Sequence, residues 1–141
     1  MSAAPFMLGT SGLLLFAAGL LLGFVIPRLR NPRMGLSAHL TAAQTGPALI
    51  AIALFWQYCS VPAAWNWPLA TVLALSSYAL VAGIALAAAT GASNALPMAG
   101  KGHTATASQE AGVSLIVIAS SLAMAFSVVA LCWFALTAEA V

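Results

Sequence analysis

The sequence predicts an all-α protein: an integral membrane bundle of four transmembrane helices, forming a single domain over residues 1–141. Three observations carry that expectation. Of the 141 residues, 63% are hydrophobic and only six side chains are charged, four basic and two acidic, where a soluble domain carries about a quarter charged residues. Four apolar runs each reach the roughly 20 residues that a helix needs to cross a bilayer. The positive charges, finally, fall in two of the three connections and not in the other.

The first run, near Phe6 to Ile26, has no basic segment ahead of it and no small-residue cleavage site followed by a polar mature segment. It reads as a retained helix and not as a cleaved signal. The second run, Leu36 to Tyr58, follows Arg28, Arg30 and Arg33 and contains His39, Thr41, Gln44, Thr45 and a Gly46-Pro47 step. The third, Pro68 to Thr90, holds Ser76, Ser77 and Tyr78, and the fourth, Gly112 to Leu136, holds Ser114, Ser120, Ser121 and Ser127. The connections read PRLRNPRMG, CSVPAAWNW and GASNALPMAGKGHTATASQEA. Three arginines in the first and a lysine in the third assign both to the cytoplasm, which leaves both termini on the outer side. Trp65 and Trp67, with Trp56 and Tyr58 just before them, read as an outer interfacial belt.

Small residues recur four apart: Gly19 and Gly23; Ala38, Ala42 and Gly46; Ala79, Gly83 and Ala87. Such stripes let helices approach closely in lipid. They serve either packing within one bundle or, in the sharper reading, a subunit interface or a flat cofactor. Cys59 and Cys132 are too few and too far apart for a metal motif; they read as small packing residues near one membrane face, where a disulfide between them is geometrically conceivable.

The chain has no aspartate, and Glu110 and Glu139 lie at or beyond the ends of the apolar runs. Carboxylate catalysis and hard-metal binding therefore lose most of their usual side chains, and chemistry here calls for a cofactor. Ionisable groups at membrane depth mark candidate sites. His39 lies about one turn inside the second run. It reads either as an interfacial histidine bonded to backbone or headgroup, or as a metal or haem ligand. Ala42 and Ala43, one turn on, are small enough to leave room for a planar ring. No second His, Cys or carboxylate lies nearby on the same helix, which favours haem over a bare metal ion. Arg33 orients the protein and, like any arginine beside a carboxylate, suits a haem propionate. Pro47 frees a carbonyl near Ala43 and can bend the helix, turning Gln44 and Thr45 towards a widened cavity. Gln44 nonetheless lies about 140° around the helix from His39. Tyr78 needs a partner for its hydroxyl, on a neighbouring helix or on a substrate. The serines bond back to their own helices, His103 reads as solvated, and Gln109 and Glu110 read as first-turn residues that complement the helix dipole.

NPRMGLSAHL at 31–40, ALPMAGKGHTATASQE at 95–110 and the four-span layout resemble the hydroxylaminobenzene mutase family of small bacterial membrane proteins. The resemblance runs from Gly23 to the fourth helix. That family looks related to styrene oxide isomerase, in which an A-H-x-x-P-A-L-N-G type segment begins the second helix and its histidine ligates haem b, in trimers with haem at subunit boundaries. The resemblance implies His39 as the axial ligand of the haem iron, with Gly46 matching the family's glycine. It also implies a multi-pass protein of the bacterial inner membrane, a homotrimer, and isomerisation without net redox change. An aryl hydroxylamine would become an ortho-aminophenol, or an epoxide an aldehyde, with ferric haem as Lewis acid and Gln44, Thr45 and Tyr78 lining the substrate side. Thr41 and Thr45 stand where the mutases carry Glu and Asn, and Leu80 follows Tyr78-Ala79 where they carry Asn. The expected function is thus a haem b membrane isomerase of a small aromatic substrate. A haem protein for electron transfer or sensing is the alternative, followed by a structural subunit or transporter, which the lack of a midplane charge disfavours. Four basic residues tied to the membrane edge leave no nucleic-acid partner.

Overall fold

A computed structural model describes residues 3–138; Glu139 lies outside that range, as do both chain ends whose outer-side placement the charge pattern predicts. The described chain is helical, with α1 at Ala3–Gly23, α2 at Pro32–Phe55, α3 at Ala63–Thr90, α4 at Pro97–Gly100 and α5 at Ala107–Leu136. Single 3-10 turns at Ile26–Arg28 and Trp56–Tyr58 end the approaches to the first two connections. Four helices are long and apolar enough to cross a membrane, as predicted. The short α4, within the third connection, is an addition to the sequence reading.

Cap chemistry explains where the helices outrun their apolar runs. Asn31 accepts the Met34 N–H at 3.1 Å and Pro32 occupies the first turn, so α2 begins four residues before Leu36. Thr106 and Gln109 form a reciprocal capping box that starts α5 ahead of Gly112. Gly91, with φ of 82°, ends α3 and returns its N–H to Ala87 O.

The helices do not form a square. α1 lies along α2, α3 packs against α1, α2 and α5, and α5 meets the rest chiefly through α3. α3 accordingly buries 50% of its apolar span, against 22–28% for the other three. Small residues set the crossings. A Cβ on Gly12 would stand 2.6 Å from Gly46 O, one on Gly19 would stand 2.7 Å from Ala42 Cβ, and one on Gly83 would stand 2.9 Å from Ile116 Cγ2. The glycine stripes are therefore spent inside the bundle, as the plainer reading expected, where close backbone approach substitutes for the missing hydrophobic drive in lipid. α2 stays helical through Gly46-Pro47; Gly46 serves there to admit α1. Outward faces carry large apolar side chains such as Leu21, Leu75, Leu115 and Phe126.

At one end the first and third connections are bound together. Arg30 Nη1 donates to Thr90 O at 2.7 Å. Asn31 Nδ2 donates to Ala99 O at 3.0 Å, and the Asn31 N–H donates to Ala88 O. His103 Nε2 lies 3.1 Å from Arg30 O, so this histidine is half-buried against the first connection and not simply solvated. Glu110 accepts backbone N–H groups from Ser93, Asn94 and Ala105, which goes beyond a first-turn dipole contact. At the other end Tyr58, Trp65 and Trp67 are exposed, as an interfacial belt requires. Trp56 departs from that expectation: it is buried, with its indole N–H donating to Asn66 Oδ1 at 2.8 Å. Asn66, on the first turn of α3, gives the indole a polar partner that removes its need for the interface.

Candidate functional site

His39 projects from α2 towards α1. Its Nδ1 lies 2.7 Å from the carbonyl oxygen of Gly19, and a Cβ on Gly23 would stand 3.3 Å from both Cε1 and Nδ1 of the ring. A carbonyl can only accept, so in the neutral imidazole Nδ1 carries the proton and Nε2 keeps its lone pair. Among the described residues the one enclosed side-chain nitrogen or oxygen lacking a partner is His103 Nδ1. His39 Nε2, which makes no hydrogen bond, therefore reaches the surface of the chain. A backbone bond to one ring nitrogen with the other left free is the usual arrangement of a metal-ligating histidine. No cluster of three or more His, Cys, Asp or Glu side chains exists among the described residues, so His39 stands as a lone imidazole.

The other candidates divide between two sides of α2. Ala42 is fully buried against Gly19; the space beside its methyl is filled by α1, which corrects the expectation that it leaves room for a ring. Ala43 is half-buried one residue on, and Arg33 is exposed in the first turn of α2. Gln44 and Thr45 point the other way, into a groove between α2 and α5 that is floored by α3. One part of the groove, about 430 Å³, is bounded by Gln44, Thr45, Leu73, Ser77, Ser121 and Met124. The next, about 420 Å³, runs on between Phe55, Cys59, Leu131 and Cys132. The two share Ile52 and Val128. Both cysteines are free thiols, so they bound the groove as apolar packing residues.

Within the groove the Ser77 hydroxyl donates to Leu73 O and the Ser121 hydroxyl to Val117 O, each at 2.7 Å, as expected for serines in apolar helices. Among the described residues the Gln44 and Thr45 side chains make no hydrogen bond, which leaves them the free polar groups of an otherwise apolar channel. Tyr78 is not brought to them. Its hydroxyl donates to Ser11 O on α1 at 2.9 Å, so a neighbouring helix satisfies it. One chain thus gathers Gln44 with Thr45, and His39 with the α1 glycines, but does not join the two sets. The Gly19 partner of His39 escaped the sequence reading, although the four-residue spacing of Gly19 and Gly23 marked the place where α1 comes close.

The family model described as styrene oxide isomerase matches residues 7–136. Among curated proteins, hydroxylaminobenzene mutase HabA of Ectopseudomonas oleovorans is 38% identical over 115 residues, covering 81% of this chain and 85% of that protein. Hydroxylaminobenzene mutase HabB of the same organism is 37% identical over 114 residues, covering 80% of this chain and 70% of its own length. No solved structure matches the chain.

Proposed function

The chain belongs to the styrene oxide isomerase family and is an isomerase of the membrane; on that footing we propose that it is a haem b-dependent mutase acting on a small aryl hydroxylamine to give an ortho-aminophenol. The single observation that supports the cofactor is the His39 imidazole, held through Nδ1 by Gly19 O at 2.7 Å with Nε2 free at the chain surface. His39 Nε2 would hold the iron, and Arg33, exposed at the same end of α2, would pair with a propionate. Bound ferric haem supplies a Lewis acid that holds and polarises the substrate heteroatom. The apolar walls of the α2–α5 groove exclude water and orient the aromatic ring. Gln44 and Thr45 offer the hydrogen bonds that align its polar substituent. Tyr78 fixes α3 against α1 through Ser11 O and adds only an acceptor lone pair.

His39 and the groove face away from each other on α2, which supports a head-to-tail assembly in which the ligand side of one copy meets the groove side of the next, with haem at the boundary; the homotrimer we propose is such an assembly closed with three copies. The arginines of the first connection and Lys101 of the third support placing both connections in the cytoplasm of a bacterial inner membrane, with the termini outside. The test is an absorption spectrum of detergent-purified protein, followed by product analysis with phenylhydroxylamine and, separately, styrene oxide. A Soret band that His39→Ala removes, together with aminophenol formation, is the expected result. Purified protein with no Soret band, or His39→Ala with full haem content, overturns the ligand role, and turnover of the epoxide alone overturns the substrate class.

A further inference from the structure

Two glycines of α1 frame the imidazole on its far side. Gly23 offers no side chain where the ring lies; a Cβ there would come 3.3 Å from both Cε1 and Nδ1, inside ordinary van der Waals contact. Gly19 contributes its carbonyl at 2.7 Å from Nδ1. Gly19 also stands opposite Ala42, where a Cβ would meet the alanine methyl at 2.7 Å, so α1 is pinned at this height by packing that does not involve the histidine. In contrast, Gly112 on α5 has nothing within 4 Å of a built Cβ. Glycine at position 23 therefore answers a specific need for space beside the ring.

We infer that α1 is the positioning element for the proposed haem ligand: Gly23 leaves the slot in which the His39 ring sits, and the Gly19 carbonyl accepts from Nδ1–H, fixing the tautomer and turning Nε2 outward. This rests on the haem reading given above. Donation from Nδ1 to a carbonyl moves electron density towards Nε2 and makes it a stronger donor to iron, which favours the ferric state. Partners of this kind change metal affinity by about 10- to 100-fold when they are lost. An alanine at position 23 forces the ring to give by a few tenths of an ångström, which lengthens or bends the bond to Gly19.

The test compares haem titrations and midpoint potentials of the whole protein in detergent for the wild type, Gly23→Ala and Gly112→Ala. The expected result is roughly 10-fold weaker haem binding and a raised midpoint potential in Gly23→Ala alone. A Gly23→Ala protein that matches the wild type in both overturns the inference. A wild type that binds no haem overturns the haem reading instead. A second arm is independent of how Gly23→Ala folds: His39→Gly is supplied with imidazole or with 1-methylimidazole, which lacks the N–H. Imidazole is expected to restore the Soret spectrum at least 10-fold more effectively, after correction for the affinity of each base for free haem. Equal restoration means that the Gly19 carbonyl does nothing for the ligand.

Discussion

Glu110 accepts the backbone N–H of Asn94 at 2.9 Å, and so the first turn of α5 gathers in the connection that leads to it. α5 has 30 residues, more than the roughly 20 that a crossing needs, and the carboxylate lies in its polar first turn, ahead of the apolar run from Gly112. Donation from Asn94 leads in holding its carboxyl below the usual carboxylate range, with Ser93 and Ala105 adding to it and burial pushing the other way. A carboxyl whose folded pKa is depressed contributes stability above its unfolded value and loses it as pH falls through the folded value. Glu110→Gln should therefore melt at a lower temperature than the wild type at neutral pH. The gap should close as pH drops below the ordinary value of 4.5. Thermal unfolding in detergent across that window checks both parts, and a gap independent of pH would refute the charge-based account.

Gly46 sits at a tight crossing of α1 and α2: a Cβ there would meet Phe16 Cβ at 2.7 Å and both Gly12 O and Phe16 N at 2.8 Å. These neighbours are backbone atoms or the Cβ next to them and cannot swing aside. Gly46→Ala should cost about 1–3 kcal/mol from overpacking, although alanine is the better helix former. Gly112→Ala, which meets nothing, should be neutral or stabilising by up to about 1 kcal/mol. Unfolding of both variants side by side separates helix propensity from packing.

Tyr78→Phe deletes the hydrogen bond to Ser11 O and little else. The expected loss of stability is about 0.5–1.5 kcal/mol, near the modest values found for interhelical hydrogen bonds in membranes. Haem content should be unchanged. A Soret intensity that falls with Tyr78→Phe would place the hydroxyl at the cofactor, contrary to its position against α1.

Thr45→Val keeps the shape of the groove and removes one of its two free polar groups; Gln44→Leu removes the other. Each should lower kcat/KM by about 3- to 10-fold, the value of one hydrogen bond made to substrate, with the Soret spectrum intact. Full activity in the double variant would move substrate binding elsewhere.

Much of this architecture was legible beforehand. The four crossings followed from runs such as Gly112 to Leu136, and the pairing of the first and third connections followed from where Arg28, Arg30, Arg33 and Lys101 fall. Hydropathy reports only what lipid tolerates, however, and α1 and α3 are apolar all round. Nothing in such a run tells the hub from a peripheral helix, so the central place of α3 came only with the structure. Glycine spacing marks close approach at Gly19 and Gly46, but a missing side chain names no partner; by spacing alone Ala42 leaves room for a ring, whereas α1 fills that space. Trp56 reads as interfacial from its position near the end of a span, because the Asn66 that satisfies its indole lies across a turn. His39 stood out by its chemistry. Which of its nitrogens is free depends on a backbone carbonyl 20 residues earlier, which no side-chain pattern encodes.

The attachment of α5 chiefly through α3 has a consequence for biogenesis. As the chain leaves the ribosome, α1, α2 and α3 already possess all of their mutual contacts and can assemble while α5 is still being synthesised. The last helix then docks chiefly on one partner that is already in place.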